Sequence, residues 1–405
     1  MTRLTENAAA GPFADVKAAA AAAVEAARAE ILELSHNIHA NPEPAFEEVK
    51  AAAWVAEAIA RHGYAVEAPV GTLPTAVRGR LTGGKGPNGP RIGVLAEYDA
   101  LPGLGHGCGH NTMAASGVGA AIALSSIRDQ WAGEVVFLGT PAEERGSGKE
   151  IMIGDGLFAD LDAALLFHPG DRDHVEINPL ASEDVTIVFK GLQSHAATDP
   201  WSGRNALDAM IALFVSVGLW RQQLPTHCRV HGIIQEGGTA ANIIPDRTRA
   251  WFMIRSADQA FYDDVMKPRF TELCEAAAKA AGVEVEVEYS GYASTMKHNH
   301  VLADRWNANA AAYGIGDNPT DETSGSTDMA NVSWHVPAIH PSLSITEMPT
   351  PGHSIEFRDA AARPLADEVV LLAATLVAQT ALDVLLDPAT KDAAWSEFRG
   401  GKAPA

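Results

Sequence analysis

Apolar positions recur at helical spacing over 17–35 and 47–62. The Pro-containing loop His39-Ala40-Asn41-Pro42-Glu43-Pro44 separates these two predicted helices. Short apolar runs follow at 91–96 (RIGVLA), 134–139 (EVVFLG) and 162–167 (DAALLF), each the length of a buried strand. A small-residue helix is expected at about 112–126, between the first two. Strands alternating with helices predict an α/β sheet with both faces covered.

Near 182 the pattern changes. VTIVFKG (185–191) has period two, a long helix follows at 204–223, and 229–238 and 248–256 read as strands. A helix is expected over 258–281, and VEVEVEYS (283–290) alternates strictly. This β-α-β-β-α-β order is ferredoxin-like. The sequence therefore predicts a lid domain at 182–297, inserted into a first domain of 1–181 and 298–405. The first domain closes with an apolar helix at 364–386 and a short polar tail after about 388.

Composition narrows the class. A chain of 405 residues with 47% apolar and 20% charged residues suits two globular domains. Net charge −21 argues against a nucleic-acid or anionic-membrane partner, which needs clustered Lys and Arg. Cys108, Cys228 and Cys274 are too few and odd in number for a disulfide framework, so a reducing cytoplasm is expected. No apolar run is expected to reach the roughly 18 residues of a membrane span. The Ala run at 18–23 continues into Glu25, Arg28 and Glu30, the pattern of an amphipathic helix rather than a signal segment.

The chemistry-bearing residues cluster just after the predicted strands. Glu97-Tyr98-Asp99 and then Gly107-Cys108-Gly109-His110-Asn111 follow the first, Glu143-Glu144 the second, and His168 the third. Ligand sites in open α/β sheets gather at these carboxyl ends. Thiolate, imidazole and carboxylate donors suit Zn²⁺ or a similar ion, and two ions about 3.5–4 Å apart can polarise a carbonyl and activate water. Alone, Cys-x-His is mostly incidental, Glu-Glu mostly a solvated pair, and one His mostly structural. Their joint placement after successive strands raises the metal reading above those. The Gly-rich loop 103–109 lacks the third glycine of G-x-G-x-x-G, since that position is Cys108. A Cys108 thiol nucleophile paired with His110 remains a competitor.

The stretches EYDALPGLGHGCGHN (97–111), GTPAEERGSGK (139–149), FHPGD (167–171), GLQSHAATDPWSGRNALDA (191–209), RVHGIIQEGGTAANIIPD (229–246), GSTDMANVS (325–333) and PGHS (351–354) resemble the family-twenty metallopeptidases, the aminoacylase/carboxypeptidase family. The resemblance covers essentially the whole chain. It points to the amidohydrolase branch with the p-aminobenzoyl-glutamate hydrolases and β-alanyl-lysine-type dipeptidases. It implies five metal ligands, Cys108, His110, Glu144, His168 and His353, with Glu143 as catalytic base. It further implies that Asp99 orients a ligand, that the lid residue His195 reaches the scissile carbonyl oxygen, and that Asn242 lies near the substrate. The fold implied is a metal-binding α/β domain with an inserted lid that often mediates dimerisation. Two departures stand out: Asn111 where many members have Asp, and Ser326-Thr327-Asp328 where some carry an acid pair.

The reading is a metal-dependent amidohydrolase or peptidase with two divalent ions, Zn or Mn. It acts on a small-molecule amide: an N-acyl amino acid, a dipeptide or an aminobenzoyl conjugate. Arg255, at the end of a lid strand, is a candidate partner for a substrate carboxylate, with a surface ion pair as the alternative. The expected assembly is a homodimer or higher homo-oligomer through the lid. The rivals are a Cys108 thiol amidase, a non-catalytic binding protein, and a hydrolytic deaminase of an electron-poor aromatic amine.

Overall fold

The computed structural model describes residues 12–319 and 325–400. Expectations for the two ends of the first domain and for 320–324 lie outside the described residues. Two compact units result: residues 12–177, 296–319 and 327–400 form one, and 178–295 with 325–326 the other. The expected lid was 182–297.

The first unit opens with β1 (Ala65–Glu67), β2 (Val77–Thr82), β3 (Arg91–Glu97), β4 (Glu134–Thr140), β5 (Ala163–Leu165) and β6 (His168–Gly170). The second contributes β7 (Ala181–Lys190), β8 (Cys228–Glu236), β9 (Arg247–Ser256) and β10 (Glu284–Ala293), and the chain returns with β11 (Ala338–Ile339) and β12 (Ser342–Ser344). The main sheet runs β1-β2-β4-β3-β5-β11, parallel from β4 to β11 and antiparallel at the β1 and β2 edge. β3 and β4 are buried almost throughout, as their unbroken apolar runs require of strands covered on both faces. β6 and β12 form a separate parallel pair.

Helices Ala14–Ala26, Arg28–Ala40, His110–Ser126 and Pro364–Leu386 pack together over this sheet. Three sequence expectations need correction here. The helix expected at 17–35 is two helices, broken at Ala27 (φ −94°, ψ 5°), with no Gly or Pro to mark the break. The tail after 388 is a helix, Pro388–Phe398, capped by the Asp387 side chain and burying Thr390 and Ala394. The 23-residue helix Pro364–Leu386 is long and apolar enough to cross a membrane, contrary to the expectation that no run is. It is apolar all round because 94% of its most apolar window is buried in the protein core.

The second unit is ferredoxin-like, as expected. Its sheet runs β10-β7-β9-β8, antiparallel throughout. Helices Ala206–Trp220 and Lys267–Ala281 bury Met210, Leu213, Phe270 and Leu273 with Val185, Ile187, Phe252 and Ile254 of the sheet. The helix expected over 258–281 is interrupted by a π-turn at Tyr262–Met266. Pro268, in the first turn of the next helical segment, has no N–H and crowds the carbonyl four residues back.

Candidate metal centre

The first unit gathers its polar residues at the carboxyl ends of β3, β4 and β5. Three backbone features aim them. Gly109, between Cys108 and His110, caps the helix His110–Ser126 at φ +79°. A Cβ there would meet Pro169 Cγ at 2.7 Å, so glycine is required both for the turn and for the contact. Ala142 sits at φ +61° just before Glu143. Its N–H donates to the buried Glu48 carboxylate at 2.9 Å, which also accepts from Thr75 Oγ1 at 2.8 Å. Burial pushes Glu48 up to about 7. His353 is likewise left-handed (φ +59°), and its N–H donates to Gly107 O at 2.9 Å, tying its loop to the Cys108 turn.

The five expected ligands come together. Donor atoms of Cys108, His110 and His168 lie within 4.8 Å of one another, and so do those of Cys108, Glu144 and His353. Cys108 belongs to both groups. Cys108 Sγ is 3.5 Å from His168 Nε2, and Glu144 Oε2 is 3.4 Å from His353 Nε2. Asp99 spans the two groups: Oδ1 accepts from His110 Nδ1 at 3.0 Å and Oδ2 from the Glu144 N–H at 2.9 Å. His168 Nδ1 donates to Pro169 O at 2.6 Å. In both rings Nδ1 is engaged and Nε2 is left to face the other donors. His110 Nε2 and Glu144 Oε1 are buried with no hydrogen-bond partner. Donors of these types, deprived of partners inside a protein, fit a bound cation.

A network the sequence reading missed lies beside them. Lys149 is fully buried, its Nζ 2.5 Å from Glu97 Oε1 and 2.6 Å from Asp328 Oδ1. Glu97 and Glu143 form a third donor group with His110. His340 stacks edge-on against His168 and donates from Nδ1 to Leu166 O at 3.0 Å. The signals were present: Glu97 stands two residues before Asp99, and Asp328 in the GSTDMANVS stretch. Nothing in sequence shows that Lys149, beside Glu150, is buried rather than solvated. Asn111 faces the core: its amide donates to Ser35 Oγ and Ala361 O, both at 3.0 Å, a task an Asp could not perform.

Electrostatics support a cation. Burial, with Glu97 and Glu144 close by, holds the Glu143 carboxyl well above its ordinary range. Burial also raises Glu144, and burial with Glu144 raises the Cys108 thiol. Burial lowers His168 to about 3, keeping the ring neutral. Burial opposes ionisation of Glu97, but Lys149 together with His110, His340 and His168 outweighs it and brings Glu97 to about 2. Positive charge among these groups is what would let the raised acids ionise.

In the second unit, His195 Nδ1 accepts from the N–H groups of Ala197 and Thr198, both at 3.2 Å, which leaves Nε2–H as an outward donor. Asn242 O accepts from Ala196 N–H at 3.0 Å, so His195 and Asn242 share one loop cluster. Both are exposed. Arg255 is not brought to them. His195 follows the Lys190 end of β7, which pairs with Arg247, whereas Arg255 pairs with Ser182 at the far end of the sheet. Eight residues of strand, roughly 26 Å at ~3.3 Å each, separate Arg255 from the loop end. A small ligand at His195 is beyond the reach of Arg255 in the same lid.

The model of peptidase family M20/M25/M40 matches residues 93–374. The chain is also 35% identical over 401 residues to the Xaa-Arg dipeptidase of Mus musculus, covering 95% of this chain and 92% of that protein. The chain belongs to this peptidase family. It is accordingly a hydrolase of peptide or amide bonds, as its motifs led us to expect. A p-aminobenzoyl-glutamate hydrolase polypeptide of Escherichia coli is 29% identical over 447 residues, covering 90% of this chain and 91% of that one. A dinuclear metal-binding peptidase of the M20 family from Bacillus subtilis has the same fold, with TM-score 0.68, 21% identity, and coverage of 89% of this chain and 99% of that one.

Proposed function

We propose that this protein is a dinuclear metallohydrolase that splits the amide bond of a dipeptide-like substrate, with Glu143 as general base. The observation that carries the reading is the membership of Cys108 in two three-donor groups, one with His110 and His168, the other with Glu144 and His353. Cys108, with His110 and His168 on one side and Glu144 and His353 on the other, would help to hold two ions. Zn²⁺ suits the mixed S, N and O donors, with Mn²⁺ the alternative. Such ions, when bound, supply Lewis acidity to the scissile carbonyl and lower the pKa of water.

Glu143 takes a proton from the attacking water and passes it to the leaving nitrogen. Burial, with Glu97 and Glu144 close by, raises its carboxyl, the direction that suits a group which accepts a proton and returns it. His195, with Nε2–H fixed outward, is the proposed donor to the tetrahedral oxyanion, from its own lid or from that of a second copy. Asn242 would contact substrate from the same loop cluster.

Relatives bear the names Xaa-Arg dipeptidase and p-aminobenzoyl-glutamate hydrolase, both describing an acyl group joined to an amino acid. Net charge −21 favours the approach of cationic substrates, so we place dipeptides ending in Arg or Lys first. We further propose a cytoplasmic homodimer. Three unpaired cysteines suit a reducing compartment. The lid helix Ala206–Trp220 exposes Ile211, Val215 and Leu219 in one row, and the edge strand β8 exposes Ile233 and Ile234.

The test is turnover of Arg and Lys dipeptides, N-acetyl amino acids, p-aminobenzoyl-glutamate and electron-poor aromatic amines by chelator-stripped protein, before and after Zn²⁺, Mn²⁺ or Co²⁺. Amide hydrolysis only after metal addition supports the reading. Activity in stripped protein that thiol alkylation abolishes would instead establish the Cys108 amidase. The raised Cys108 thiol already counts against that nucleophile.

A further inference from the structure

Glu97 has two oxygens in different situations. Oε1 accepts from Lys149 Nζ at 2.5 Å. Lys149 is clamped in turn by Asp328, which bonds its Nζ at 2.6 Å and its backbone N–H at 2.8 Å. Oε2 has no hydrogen-bond partner. It lies 3.3 Å from His110 Nε2, which also has none, and both side chains are 0% exposed. The two atoms pair as ions only when His110 is protonated; with a neutral His110 both are left unsatisfied in the interior unless a third group serves both. Asp99 already occupies His110 Nδ1, so Nε2 is the atom that faces outward.

The spacing fits a cation as that third group. Two donors of one tetrahedral ion, each at about 2.0–2.3 Å, stand roughly 3.3–3.6 Å apart. The Cys108–His168 pair at 3.5 Å, the Glu144–His353 pair at 3.4 Å and the Glu97–His110 pair at 3.3 Å all have that separation. Resting on the dinuclear reading of this site, we propose that Glu97 is a further donor to the cation held by His110, fixed for that role by the Lys149–Asp328 pair. The two positions are then unequal. Cys108, His110 and His168 form one donor group, and Glu97 adds to His110 from a second group that it shares with Glu143. Cys108, Glu144 and His353 form the remaining group, and the His353 side chain is 57% exposed. The added donor should make the ion at His110 the tighter of the two.

The experiment is chelator competition on the full-length protein loaded with Zn²⁺ alone, with metal content read by elemental analysis. Wild type should release its two ions at well-separated chelator concentrations. Glu97→Ala and Glu97→Gln should weaken the tighter ion by at least the 10–100-fold seen for loss of a ligand's supporting group, while the weaker ion changes little. Thermal unfolding of the metal-free proteins checks the fold. If neither variant folds, Glu97→Asp keeps the charge beside Lys149 but withdraws the oxygen, and it should weaken the same ion. With Co²⁺ in place of Zn²⁺, the visible bands of the tighter ion should shift in these variants, which a purely structural Glu97 would leave unchanged. Two ions held with wild-type affinities in a folded Glu97 variant would overturn the proposal and leave the dinuclear reading intact. Wild-type protein that takes up no ion would overturn the dinuclear reading itself.

Discussion

Asp99→Asn probes the support beneath both halves of the metal site with a change of one atom type. The carboxylate receives His110 Nδ1 on one oxygen at 3.0 Å and the Glu144 N–H on the other at 2.9 Å. An amide has one acceptor oxygen, so one of these donors must face an NH₂ group. His110 retains the Asp99 backbone carbonyl, also at 3.0 Å, whereas the Glu144 N–H has no second acceptor among the described contacts. The amide oxygen should therefore turn to Glu144, and the loss should fall on His110. A hydrogen bond to a charged group contributes ~1.5–3 kcal/mol. Loss of a histidine's outer partner typically weakens metal binding 10–100-fold, which is ~1.4–2.7 kcal/mol. The two estimates agree in size. Chelator competition should show the His110-side ion weakened by that factor and the Glu144-side ion altered less than about threefold. Unchanged affinity for both ions, or selective loss of the Glu144-side ion, would refute the reasoning.

Two further substitutions test the scaffold. Gly109→Ala places a Cβ at φ +79° against Pro169, so it should destabilise the metal-free protein by ~2–3 kcal/mol in denaturant unfolding and lower its metal content; wild-type stability would show that the turn is not tight. Lys17→Met strands Asp383, which Lys17 meets at 2.6 Å with both side chains about 95% buried. Asp383 keeps a bond from Asn309 Nδ2 at 2.9 Å, so the cost should lie near the low end of ~3–5 kcal/mol, and Asp383→Leu in the same protein should recover most of it.

Much of the fold was legible because periodicity reports burial. The runs at 91–96 and 134–139 are buried on both faces and stand as β3 and β4. The strict alternation of 283–290 is an edge strand with one covered face. Breaks without punctuation were not legible: Ala27 ends a helix inside a run of helix formers. The tail helix was missed because only two of its residues are buried. At the site, strand ends pointed to Cys108, His110, Glu143, Glu144 and His168, since the topology that aligns them is local. Glu97, Lys149 and Asp328 form a unit only through contacts across 52 and 179 residues, and no spacing reveals that. Arg255 failed to join His195 and Asn242 for a related reason. Its position at a strand end was clear, but which end of the sheet it occupies depends on pairing with β7.

The division of labour between two adjacent acids is the sharpest point of the mechanism. Glu144 Oε2 lies 3.4 Å from His353 Nε2, in the donor group of Cys108, while Glu143 Oε2 lies 3.9 Å from His110 Nε2, on the side of Glu97. Metal content and kcat should therefore be measured on Glu143→Gln and Glu144→Gln side by side. Glu143→Gln should keep both ions and lose ~10²–10⁴-fold in kcat, the usual cost of removing a general base. Glu144→Gln should lose metal occupancy. A Glu143→Gln protein that turns over at the wild-type rate, or that loses its ions while Glu144→Gln keeps them, would contradict a dinuclear hydrolase with Glu143 as its base.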